Sequence, residues 1–166
     1  MAELRQLVAS LGHGDVATYI QSGNVVFTPS HADRAKLVSE LRTAIAEAHG
    51  IDTPVIVLTR DELATVIDRN PYPKEPNPRY VHGVFLPAEL DEAAHSQIRQ
   101  AADAVKGRGS ADEVTLLGRT LYLHTPDGFG TSELAKILLT KRTSPVYVGT
   151  ARNWNTITKM LTLCDS

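Results

Sequence analysis

Two stretches of this chain turn one strand-like run straight back into another. Residues 16–28 read VATYIQSGNVVFT and residues 113–124 read EVTLLGRTLYLH. In each, a short glycine-containing segment separates runs of β-branched, aromatic and leucine residues. Glycine supplies the positive φ that a tight hairpin turn needs. Strands joined this closely lie antiparallel, because a parallel pair needs a crossover of a dozen or more residues. A single continuous parallel sheet is therefore excluded. In the first hairpin the alternation puts Val16, Thr18 and Ile20 on one face and Ala17, Tyr19 and Gln21 on the other, with the turn at Ser22–Asn24.

Helical patterns bracket both hairpins. Leu4, Leu7, Val8 and Leu11 recur at helical spacing before Gly12 and Gly14. A second helix is predicted over 32–49, with Leu37, Leu41, Ala44, Ile45 and Ala48 on its apolar stripe. PVIVLT, residues 54–59, reads as a buried strand. In TRDELATVIDRN, Thr59 and Glu62 have the spacing of a capping box. PYPKEPNP, residues 71–78, is a loop, since proline lacks an amide hydrogen and resists both helix interior and central strand. YVHGVFLP then reads as a strand, DEAAHSQIRQAADAV as a helix, and Ser132 as the cap of a helix carrying Leu134, Ile137 and Leu138. PVYVG, residues 145–149, fits a strand or a loop. A final helix is predicted from about Thr150, with Trp154, Ile157, Met160 and Leu161 facing inward.

The resulting order in the second half is βαββαβ, and the first half repeats it without its first strand. The predicted class is α+β: two ferredoxin-like lobes with mostly antiparallel sheets, 1–59 (incomplete) and 60–166 (with the C-terminal helix). The gap in the first sheet predicts an unpaired edge, available for self-association.

The chemical inventory is thin. The net charge of −2 over 166 residues gives no general attraction to nucleic acid or anionic membrane, and no apolar run approaches membrane-spanning length. One cysteine, Cys164, rules out a disulfide within the chain, which fits a cytoplasmic protein. Cys164 has no evident base partner. The histidines at 13, 31, 49, 82, 95 and 124 show no metal-ligand spacing. GRGS, residues 107–110, lacks the Lys-Ser/Thr of a phosphate loop. Asp61, Glu62, Asp91 and Glu92 fit helix-start charge rather than an acid–base pair. No metal, cofactor or catalytic residue is assigned, and whether the chain is an enzyme stays open.

The best candidate site is the closing stretch TARNWNTITKM. Thr150 or Asn153 would cap the helix, and Arg152 and Lys159 add charge where helix amides already favour an anion. Arg152, Asn153, Asn155, Thr156 and Lys159 are therefore candidate contacts for a phosphate- or carboxylate-bearing ligand. Tyr19, Ser22 and Asn24 are added from the first hairpin, although Ser22 and Asn24 are turn formers before anything else. The competing class is a nucleic-acid or protein interaction module using an open sheet face, which would need exposed aromatics such as Tyr19, Tyr80 or Tyr122 on the strands.

YIQSGNVVF, the NPYP loop at 70–73, VHGVFL, LYLHTPDG and TARNWNT occur in an order that resembles the bacterial domain-of-unknown-function family numbered 1697. The resemblance spans the whole chain and implies two ferredoxin-like halves, with no established activity. It also implies an opening strand and glycine-rich turn of the type Leu-Arg-Gly-Ile-Asn-Val-Gly-Gly ahead of the first helix. Met1 already stands in that helix, so the chain is expected to start downstream of them, and any site using that turn would be incomplete.

Overall fold

A computed structural model describes all residues, 1–166. The chain is mixed α and β, with two antiparallel sheets. It divides into two compact units, Met1–Ala64 with Thr158–Ser166, and Thr65–Ile157.

The first unit opens with α1 (Ala2–Ser10), then the hairpin β1 (Gly14–Tyr19) and β2 (Asn24–Thr28), then α2 (Arg34–His49). β1 and β2 form a two-stranded antiparallel sheet with a register shift between Gly14 and Ala17. That irregularity breaks the predicted alternation. Ile20 does not share the face of Val16 and Thr18: it lies in the turn, with φ of 49°, and is exposed. Asp33 caps α2 by accepting from the Lys36 amide, and Gly50 ends it at φ 66°. Val8, Leu37 and Leu41 are the buried residues of these two helices.

The predicted strand at 54–59 is not one. PVIVLT belongs to no sheet, and Val55–Leu58 are half-buried. A β-branched apolar run is only a strand when a neighbour offers a ladder, and the first sheet stops at two strands. The run leads into α3 (Arg60–Asp68), whose start is the predicted capping box. The Glu62 amide donates to Thr59 Oγ1 at 3.1 Å, and the Thr59 amide donates to Glu62 Oε2 at 2.7 Å.

The second unit holds β3 (Val81–Phe85), α4 (Glu92–Gly107), β4 (Glu113–Leu117), β5 (Thr120–His124), α5 (Glu133–Thr140) and β6 (Thr150–Asn153). Its sheet runs β4-β5-β3-β6, antiparallel throughout. The β4–β5 turn is at Gly118–Arg119, with Gly118 at φ 60°. Asp91 and Ser132 cap α4 and α5. One sheet face carries Val84, Leu121 and Leu123, which pack with Ile98, Val105, Leu134 and Leu138 of α4 and α5 in the main core.

Thr150–Asn153 is the largest departure from the predicted pattern. It is an edge strand paired to β3, with Phe85 opposite Thr150 and His82 opposite Asn153. The last helix, α6 (Trp154–Cys164), begins only after it, and PVYVG is turn and loop. Arginine and asparagine give strand 150–153 little β-propensity, so its pairing comes from tertiary context. With the helix starting later than predicted, Trp154 sits in its first turn and is half-buried rather than buried, its ring tilted 6.2 Å from Tyr122. Ile157 does face inward, 1% exposed.

Two glycines test this packing. A Cβ on Gly149 would lie 2.7 Å from Val84 Cγ1 and 3.1 Å from the Val146 carbonyl oxygen, whereas one on Gly107 would meet nothing. Gly149→Ala should therefore lose about 1–3 kcal/mol of stability. Gly107→Ala, at the end of a helix, should gain about 0.5–1 kcal/mol. Urea denaturation of both variants measures the contrast, and equal effects would contradict the packing at Gly149.

Candidate functional site

The face of the second sheet away from α4 and α5 is polar for a protein interior. The pairings set Thr115, Tyr122, Gly83 and Arg152 in one row across the strands, and Glu113, His124 and Val81 in the next. Ile157 closes over Gly83, where a Cβ would stand 2.8 Å from its Cδ1. Tyr122 is 1% exposed, its hydroxyl donates to the Val66 carbonyl at 2.8 Å, and burial pushes its pKa up to about 12. It is thus a neutral anchor for the end of α3, not one of the exposed aromatics that a nucleic-acid reading needs.

The proline-rich loop folds onto this face. Asn70, Glu75 and Asn77 each accept, through a side-chain oxygen, from the amide two residues on. These local bonds hold the loop where ladder bonds are impossible. Tyr72 stacks on His124 with ring centroids 5.0 Å apart, and its hydroxyl lies 2.9 Å from Thr115 Oγ1. Glu75 Oε2 is 2.7 Å from His124 Nε2, and Glu113 Oε1 is 3.3 Å from Nδ1. The imidazole is thereby held between two carboxylates. Glu113 stands opposite His124 in the β4–β5 register, but the approach of Glu75 from the loop had no signature in the sequence. The cluster orients a histidine and brings no nucleophile to it. Burial raises the pKa of the Cys164 thiol, which disfavours the reactive thiolate.

At the β6–α6 corner two of the first helix amides are already engaged. Asn153 Oδ1 accepts from the Thr156 amide at 2.9 Å, as the cap reading expects, and the Trp154 amide donates to the Pro78 carbonyl at 3.2 Å. Thr150 lies in the strand and has no capping role. Arg152 is half-buried, donates from Nη1 to the Ala151 carbonyl at 2.8 Å, and has its pKa lowered by burial. Thr156 is buried, while Asn155 and Lys159, a turn apart on α6, are exposed.

The remaining candidates belong to the first unit. Asn24 is buried, and its Nδ2 donates to the Tyr19 carbonyl at 3.1 Å and to Ser22 Oγ at 2.8 Å, which ties the hairpin turn. Tyr19 is half-buried and Ser22 exposed. Nearby in sequence, the buried His13 accepts at Nδ1 from the Ser30 amide at 3.2 Å, and His31 Nε2 lies 3.0 Å from Glu40 Oε2. The rings of His13 and His31 meet edge to face at 6.2 Å.

Two titrations follow. His82 stacks on Phe129 at 3.9 Å, and burial holds its pKa down at about 4 against an ordinary 6.5. The unfolded chain takes that proton first, so stability falls as pH drops from 6.5 to about 4. The loss is at most about 3 kcal/mol, and His82→Phe should remove this slope from urea-unfolding curves. The His124 hydrogen bond lowers the Glu75 carboxyl below 4.5. Its contribution is present above that value and is lost as pH falls through the lowered folded pKa. Glu75→Gln should flatten that acid limb and speed amide exchange across 70–78; unchanged exchange would mean the Glu75–His124 hydrogen bond does not hold the loop.

No curated protein matches this chain. Among solved structures, the conserved bacterial protein SP0830 from Streptococcus pneumoniae is similar in fold, with a TM-score of 0.72 at 23% identity, over 100% of this chain and 89% of that one. Residues 1–122 match the family described as protein of unknown function, DUF1697. That match takes in α1, the first hairpin, the proline-rich loop and the strands that carry Tyr122 and Gly83, and this chain belongs to the DUF1697 family.

Proposed function

We propose that this chain binds a small phosphate- or carboxylate-bearing ligand at the corner where β6 passes into α6. Arg152 carries the reading. Its guanidinium is half-buried at a strand–helix junction, and burial lowers its pKa. A cation held at that cost is stabilised by an anion brought to it. Arginine also offers a planar fork that suits phosphate and carboxylate oxygens. Asn155 and Lys159 supply an exposed amide and ammonium along α6, with Asn153 and Thr156 beside them in the cap. The charge and the side-chain donors, rather than helix amides, do the recognising in this form of the site. Tyr19, Ser22 and Asn24 are kept as a separate proposal on the hairpin of the first unit. No reaction is assigned.

Two further proposals concern the frame. The strand-helix-strand-strand-helix-strand order of Thr65–Ile157, with β4-β5-β3-β6 as neighbours, supports a ferredoxin-like lobe. The unladdered run 54–59 supports an incomplete lobe of the same kind in the first unit, open to self-association. A cytoplasmic setting is proposed from the single cysteine. The sheet-face alternative is set aside because Tyr122, its central aromatic, is buried.

Thermal melts in rising phosphate or citrate test the anion site. Saturation at a hundredfold over Kd should add about 2.7 kcal/mol. Arg152→Ala should abolish the ligand-induced rise, and Arg152→Lys should keep part of it. A wild-type melt indifferent to both anions would sink the proposal.

A further inference from the structure

Two hydrogen bonds fix which way β5 turns its backbone. The Thr125 amide donates to the Tyr80 carbonyl at 2.8 Å, and the Leu86 amide donates to the Arg119 carbonyl at 2.9 Å. Tyr80 and Leu86 flank β3 on either side. Residues 119, 121, 123 and 125 therefore present their backbone to β3, and by alternation Thr120, Tyr122 and His124 present theirs to β4. Their partners there are Leu117, Thr115 and Glu113. The amides and carbonyls of Val114 and Leu116 are left pointing outward, along the edge of the sheet.

This edge carries a single charge, Glu113 at its start. β4 contains no proline and no lysine, and its pairing to β5 runs without a bulge. Beside it Val114 and Leu116, both half-buried, join Ile98 and Ala102 of α4 in an open groove of about 380 Å³ that His95, Arg99 and Asp103 also line. Leu117, at the end of the strand, is 38% exposed.

We propose that β4 is a self-association edge, pairing antiparallel with β4 of a second copy about a two-fold axis at Thr115. The register is what selects a second copy as the occupant. Centred there, Val114 stands opposite Leu116 of the other copy, and both residues have outward backbone groups to exchange. Thr115 meets itself and carries no charge. Glu113 meets the apolar Leu117, so the acidic end of one strand never faces the acidic end of the other. Val114 and Leu116 of the two copies form a continuous apolar row across the axis, and two four-stranded sheets become one.

Sedimentation velocity over a concentration series, together with two substitutions at Leu117, tests this. The wild type should show a reversible monomer–dimer equilibrium. Leu117→Glu places a carboxylate opposite Glu113 twice per dimer and should weaken association roughly tenfold. Leu117→Lys places a cation there and should leave the dimer as tight or tighter. The position is part-exposed, so both variants should melt close to the wild type. A wild type that stays monomeric at every concentration overturns the proposal. So does a dimer that the two substitutions affect alike, as one formed through the first sheet would be. Because no ligand enters the experiment, its outcome is independent of the anion site.

Discussion

The second sheet is organised around β3, whose Gly83 leaves room for Ile157 against the strand. β3 is the inner strand between β5 and β6, and all five of its residues are buried. On one face Val84 belongs to the main core with α4 and α5. On the other, Ile157 comes so close to Gly83 that a Cβ would meet it at 2.8 Å. α6 can therefore start flush against the strand that precedes it, without a connecting loop. That junction is also what holds Arg152, in the same row as Gly83, part-way out of water. A larger residue at position 83 would have to push the Ile157 Cδ1 methyl aside.

Much of the frame could be read from residue pattern, because it is local. The capping box at Thr59 and Glu62, the caps at Asp91 and Ser132, and the turn at Gly118 are decided by residues within a few positions of one another. Residue pattern and structure part where distant partners decide. TARN has poor strand propensity and becomes a strand because β3 offers an edge. PVIVLT has excellent propensity and belongs to no sheet because none is offered. Helical periodicity places Trp154 inside a helix that begins near Thr150, whereas strand pairing of 150–153 delays the helix until Trp154 itself.

The candidate site was legible in part for the same reason. Asn153 as a cap follows from its position before the helix, and its bond to the Thr156 amide is local. The half-burial of Arg152 comes from the sheet. The Glu75–His124–Tyr72 cluster joins a loop to strands more than forty residues away, and the charge pattern of the loop does not announce it. Family membership adds no chemistry, since the family is described as of unknown function, and the likeness to SP0830 shows the fold alone.

The division of the chain has a consequence for synthesis. The unit formed by residues 65–157 is contiguous, whereas the other combines residues 1–64 with residues 158–166. The Arg60–Asp165 ion pair, with Nε to Oδ1 at 2.8 Å, joins those two distant pieces. On the ribosome the N-terminal piece emerges first, yet it must wait for the far end of the chain before its packing is complete. The order of emergence and the order of completion are thus reversed.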